Sequence, residues 1–168
     1  MLFVKYLGCI MMIISTTAVG FFCSSTLNQR RIFLAEFLVF LNTLKTYIRF
    51  NSAEIHELVS SCAVSDILFC FKEIPKPKNG ESFYSLWGKA VKSIHKNIGL
   101  TKEDKKLLMD FGAELGSTDI EGQLNHIEMY YTLFQMACKD AVENVAKKSK
   151  LYKMLGLFSG MAVSLIII

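Results

Sequence analysis

IEGQLNHIEMYYTLFQMACKDAVENV, Ile120 to Val145, is the most regular stretch of the chain. Its apolar residues Ile120, Leu124, Ile127, Tyr131, Phe134, Cys138, Ala141 and Val145 alternate spacings of four and three without a break. That period draws one stripe along an α-helix, whereas a half-buried strand would alternate every second residue. Such a heptad can join two copies in a coiled coil. Beside several shorter amphipathic segments, however, a stripe this apolar reads as the spine of a helical bundle.

The segments before it carry the same signature. Thr118 with Glu121 forms a capping signal for the long helix, and Gly116 offers a left-handed end to the helix before it. That preceding helix opens on a second capping box, Thr101 with Asp104, and buries Leu107, Leu108, Phe111 and Leu115. Ser82 precedes a further helix whose Phe83, Leu86, Trp87, Ala90, Val91 and Ile94 share one face, which makes Trp87 a core anchor. The loop from Pro75 to Gly80 stops a short apolar segment, Asp66 to Ile74, that starts after Ser65. Asn51 and Ser52, with Glu54 completing a box, are placed to cap a helix that buries Ile55, Leu58, Val59 and Cys62 and ends near Ala63 or Val64. Upstream, Leu34, Phe37, Leu41, Leu44 and Ile48 make one more helical stripe. With two prolines and no alternating pattern, the middle of the chain is all-α.

Outside this domain the charges vanish. Tyr6 to Gln29 carries none, and at 1.5 Å per helical residue it could span about 36 Å, enough for a hydrocarbon core of about 30 Å. Met154 to Ile168 is also uncharged, but at roughly 22 Å it needs Leu151 and Tyr152, with Lys153 reaching back to the headgroups, to approach a crossing. Lys5, an apolar stretch, Ala18 and Gly20 imitate a cleavable signal peptide. Apolarity continuing through Phe21, Phe22 and Cys23 reads instead as a retained span that runs on into the next helix. The expected organisation is a transmembrane helix over 1–29, a helical bundle over 30–150 and a second transmembrane helix over 151–168.

Arg30 and Arg31 follow the first span, and Lys147, Lys148, Lys150 and Lys153 precede the second, while Lys5 stands alone on the far side. By the positive-inside bias the bundle is expected to be cytoplasmic and both termini extracytoplasmic. The net charge of +4 is absorbed by these boundary residues, so the lipid bilayer is the expected partner and nucleic acid is not. Cys62, Cys70 and Cys138, odd in number and widely spaced, imply reduced thiols.

Motifs that carry chemistry are absent. There is no GxSxG, GxxxxGK[ST] or GxGxxG, so neither a nucleophile elbow nor a phosphate cradle is expected, and the chain reads as no enzyme, with no cofactor. His56, His95 and His126 are far apart and lack metal-type spacing, which makes them ordinary surface or boundary residues and leaves no metal site. Gly156, Gly160 and Ser164 fall four apart and expose a flat strip, with Thr16 and Gly20 offering a weaker one in the first span. The strip permits close helix packing in the membrane, between the two spans or between subunits; glycine is also simply common in such helices.

The stretch LTKEDKKLLMDFGAELGSTDIEGQLNHI, Leu100 to Ile127, resembles the signature region of the stage III sporulation protein AB family. The pattern FGxxLGxxDxxxQxxHI runs through Phe111, Gly112, Leu115, Gly116, Asp119, Gln123, His126 and Ile127, and the likeness extends over essentially the whole chain. The resemblance implies a platform-like helical domain similar to the cytoplasmic domain of type II secretion and type IV pilus platform proteins. It also implies a place in the mother-cell membrane around the forespore, within a transenvelope channel complex. The implied partners are a secretion-type ATPase, stage III sporulation protein AA, and other stage III channel membrane proteins. Copies of this chain are candidate partners for one another. Gly116 and Asp119 have an architectural explanation, as a left-handed helix end and a favourable charge at the next helix start. The sharper expectation is that this corner, with Gln123 and His126 exposed beside it, docks the ATPase.

Overall fold

The computed structural model describes residues 2–50, 54–77 and 80–167, apart from the side chains of residues 2–5, 9, 166 and 167. Among the described residues six α-helices follow one another: α1 Leu2–Phe50, α2 Ile55–Cys62, α3 Phe69–Lys72, α4 Phe83–Ser93, α5 Lys102–Glu114 and α6 Ile120–Ile167. Short 3-10 turns at Asp66–Leu68 and Lys96–Ile98 complete them, and no strand occurs among the described residues. The chain divides into two compact units, one formed by Met1–Arg31 with Asp140–Ile168 and the other by Ile32–Lys139.

In the second unit, α1 contributes the stripe that its period predicts. Phe33, Leu34, Phe37, Leu41 and Leu44 are fully buried, with Phe71, Trp87, Phe111 and Phe134 arriving from α3, α4, α5 and α6. Phe37 is the hub: its ring lies 5.8 Å from Phe71, 5.9 Å from Phe111 and 4.6 Å from Phe134, in the tilted and edge-on arrangements that aromatic quadrupoles favour. Trp87 stacks on Phe71 at 4.4 Å and donates its indole N–H to the carbonyl of Leu108 at 2.6 Å, so its polar atom is satisfied in the interior. Burial pushes the Cys62 and Cys70 thiols up to about 11, which keeps both protonated and unreactive near neutral pH.

The caps test the local reading. Thr101 and Asp104 form the expected reciprocal box, with Asp104 N–H donating to Thr101 Oγ1 at 3.1 Å and Thr101 N–H donating to Asp104 Oδ2 at 2.9 Å. Ser82 caps α4 by accepting from Ser85 N–H at 3.3 Å. The start of α2 differs: Glu54, expected as the far end of a box, itself takes the N-cap position and makes no side-chain capping bond. Asn51, Ser52 and the side chain of Lys5, on which expectations rested, lie outside the described residues.

In the first unit, α1 is the one helix among the described residues long and apolar enough to cross a membrane. Only 12% of its apolar window is buried, unlike the core helix of a globular domain. The final apolar run is helical as part of α6.

Candidate functional site: the α5–α6 corner and a small-residue seam

The corner between α5 and α6 is built by the motif residues themselves. Phe111 enters the core, and Gly112 makes room for the indole, since a Cβ there would stand 2.1 Å from Trp87 Cδ1. Leu115 is buried, and Gly116 turns the chain at φ +84°, a conformation in which a side chain would be strained. Asp119 then opens α6, its Oδ1 accepting from Gly122 N–H at 3.0 Å. This corrects the expected cap: Asp119, not Thr118, performs it, and Thr118 instead accepts from Gln123 Nε2 at 3.0 Å.

Gln123 braces the turn with its whole amide. Its Oε1 accepts from Gly116 N–H at 2.9 Å, while Nε2 also reaches the Glu114 carbonyl at 3.3 Å. His126 does the same one turn later, its Nε2–H donating to the Phe111 carbonyl at 2.9 Å with the ring stacked on Phe111 at 5.4 Å. Two carbonyls from the last turn of α5 are thus held by side chains of α6. The second imidazole nitrogen faces Glu114 Oε2 at 3.2 Å. Burial, and then the carboxylates of Asp110 and Glu114, push the neighbouring Tyr130 phenol above its ordinary range.

Gln123 is 5% exposed and His126 8%, so the expectation that both lie exposed is corrected. The physical reason is register: Gln123, His126, Ile127, Tyr130 and Phe134 fall on one helix face, and the polar pair fills it where the Glu114 and Phe111 carbonyls of α5 can accept from it. His56 is buried too, its Nδ1 3.3 Å from Glu54 Oε2, while His95 is exposed. What the corner offers to solvent is Glu114, Ser117, Thr118, Asp119, Glu121 and the apolar Ile120, 60% exposed. Among the described residues no group of His, Cys, Asp and Glu gathers as a metal ion would require.

The first unit contains the second candidate. A Cβ on Gly156 would lie 2.8 Å from the Thr16 carbonyl oxygen and 3.2 Å from Gly20 Cα, and one on Gly20 would lie 2.6 Å from the Tyr152 carbonyl oxygen. Gly160 packs against Thr16 and Ile13 in the same manner, and Ser164 is buried further along. The backbones of α1 and α6 therefore touch where only hydrogen atoms separate them. Ser24 and Ser149 share a hydrogen bond of 2.6 Å, and the buried Arg30 donates to Asp140 Oδ2 at 2.8 Å. No sequence signal links these partners, which lie more than a hundred residues apart.

The family model of stage III sporulation protein AB matches residues 5–168. Stage III sporulation protein AB of Bacillus subtilis (strain 168) is 25% identical to the chain over 169 residues, covering 97% of this chain and 98% of that protein. No solved structure matches. The motif residues at the α5–α6 corner and the match over nearly the whole length agree: the chain belongs to the stage III sporulation protein AB family.

Proposed function

We infer that the chain is a non-enzymatic membrane platform in the sporulation channel complex between mother cell and forespore, coupling a cytoplasmic secretion-type ATPase to the channel. The observation that carries this reading is the continuity of α6, which forms both the braced corner at its start and the glycine seam near its end as one helix, Ile120–Ile167. On this reading α6 carries motion from its ATPase-facing start toward the spans. Both spans cross the mother-cell membrane, the second paired to the first through Gly20, Gly156 and Gly160, and the bundle faces the cytoplasm, where the four lysines after Glu143 favour it.

The ATPase, of the stage III sporulation protein AA kind, docks on the exposed acids of the corner, Asp119 and Glu121, while Gln123 and His126 hold that surface rigid. Channel membrane proteins meet the spans. A photo-crosslinking residue at position 121 in sporulating cells tests the docking: an adduct with the ATPase is expected. A complex that assembles with adducts only from other faces of the bundle would reject the corner as the interface.

A further inference from the structure

The end of the helix pair that holds Ser24 and Ser149 carries three lysines with no carboxylate partner among the described residues. Ser24 bonded to Ser149, and Lys153 Nζ lying 5.1 Å from the Phe21 ring centroid, set Lys147 to Lys153 level with residues 21–26 of α1. Lys147 is paired with Glu143 at 3.0 Å. Lys148, Lys150 and Lys153 are exposed, and among the described residues none of them has a carboxylate within ion-pair distance. Glu143 is the last acidic residue of the chain, and none occurs before Glu36, so an anion at this level has to come from outside the helix pair.

At 100° per residue Lys150 and Lys153 fall about 60° apart on one side of α6 and Lys148 falls on the opposite side, so the three ammonium groups flank the helix and do not form a pocket. Immediately beyond them, Phe21, Phe22, Leu155 and Phe158 are between 53% and 59% exposed. A free phosphate has no use for that apolar surface. A ligand joining a phosphate to acyl chains satisfies both halves of the site at once.

We propose that Lys148, Lys150 and Lys153 bind the headgroup phosphates of anionic phospholipids, so that the helix pair retains negatively charged lipid at the level of Ser24 and Ser149. The proposal rests on the membrane reading above. The full chain, reconstituted in bilayers of equimolar phosphatidylcholine and phosphatidylglycerol, is extracted in mild detergent and its retained lipid counted by mass spectrometry. Retained phosphatidylglycerol is expected to exceed phosphatidylcholine about fivefold or more. The triple variant K148Q/K150Q/K153Q brings the ratio close to one, and K148R/K150R/K153R restores it, with helical content by circular dichroism unchanged in both. A ratio near one in the wild type, an undiminished ratio in the glutamine variant, or equal competition by millimolar glycerol phosphate overturns the proposal. Release of the chain by an alkaline wash before any lipid is counted would instead reject the membrane reading itself.

Discussion

Gly112 and Gln123 show how much a motif can hold without any chemistry of its own. A methyl group at Gly112 would have to share space with the Trp87 indole, 2.1 Å from Cδ1, in a core where Trp87 is fully buried. Gly112→Ala should therefore lower stability by about 1–3 kcal/mol, the usual effect of overpacking, as read by denaturant unfolding monitored through Trp87 fluorescence. Gln123→Ala removes three hydrogen bonds and leaves Gly116 N–H without its acceptor, for a loss of about 1–3 kcal/mol. Gln123→Glu keeps the acceptor for Gly116 but turns a carboxylate oxygen toward the Glu114 carbonyl in a buried position, so a loss at least as large is expected. The cysteines give a pH prediction. With Cys62 and Cys70 raised to about 11 from an ordinary 9.0, their thiolate fraction at pH 8 falls about a hundredfold, and iodoacetamide should label them slowly until the fold is denatured. The folded state holds on to these protons more firmly than the unfolded chain. Their contribution to stability is thus complete below about pH 9 and is lost as pH rises toward 11.

At the scale of elements, most helices were legible and their joints were less so. The periods of α1, α4 and α5, the Thr101–Asp104 box and the left-handed Gly116 all follow from local rules that need only a few neighbouring residues. Thr118 was misread because two adjacent residues can both cap, and only the turn at Gly116 decides that Asp119 is the one facing the free N–H groups. The polarity of Gln123 and His126 suggests exposure because polarity alone says nothing about the carbonyls that another helix brings to them. Their phase was the available signal, since both keep step with Ile127 and Phe134. The seam in the first unit could be suspected from spacing, but its register could not. Cysteines at positions 24 and 149, where the serine oxygens stand 2.6 Å apart, should oxidise readily to a disulfide. Adding Gly156→Leu and Gly160→Leu, each of which drives a side chain into the backbone of α1, should cut that crosslinking severalfold on a non-reducing gel. Unchanged crosslinking would mean that the small residues do not set the approach.

For the whole molecule, the chain divides into two compact units that share α1 and α6, Met1–Arg31 with Asp140–Ile168 and Ile32–Lys139. Composition revealed the apolar ends, and the motif from Phe111 to Ile127 revealed the family, whose model spans residues 5–168. Neither could reveal that the two ends pack as a single unit, because that depends on pairings such as Arg30 with Asp140 across the length of the chain. The proposed platform role requires that the chain do more than recruit. Transport through the channel complex with a hydrolysis-dead ATPase tests this most directly: the account predicts a complex that assembles with this chain in place but passes no cargo. Transport that continues at the wild-type rate would contradict it and leave the chain an adaptor without a coupling role.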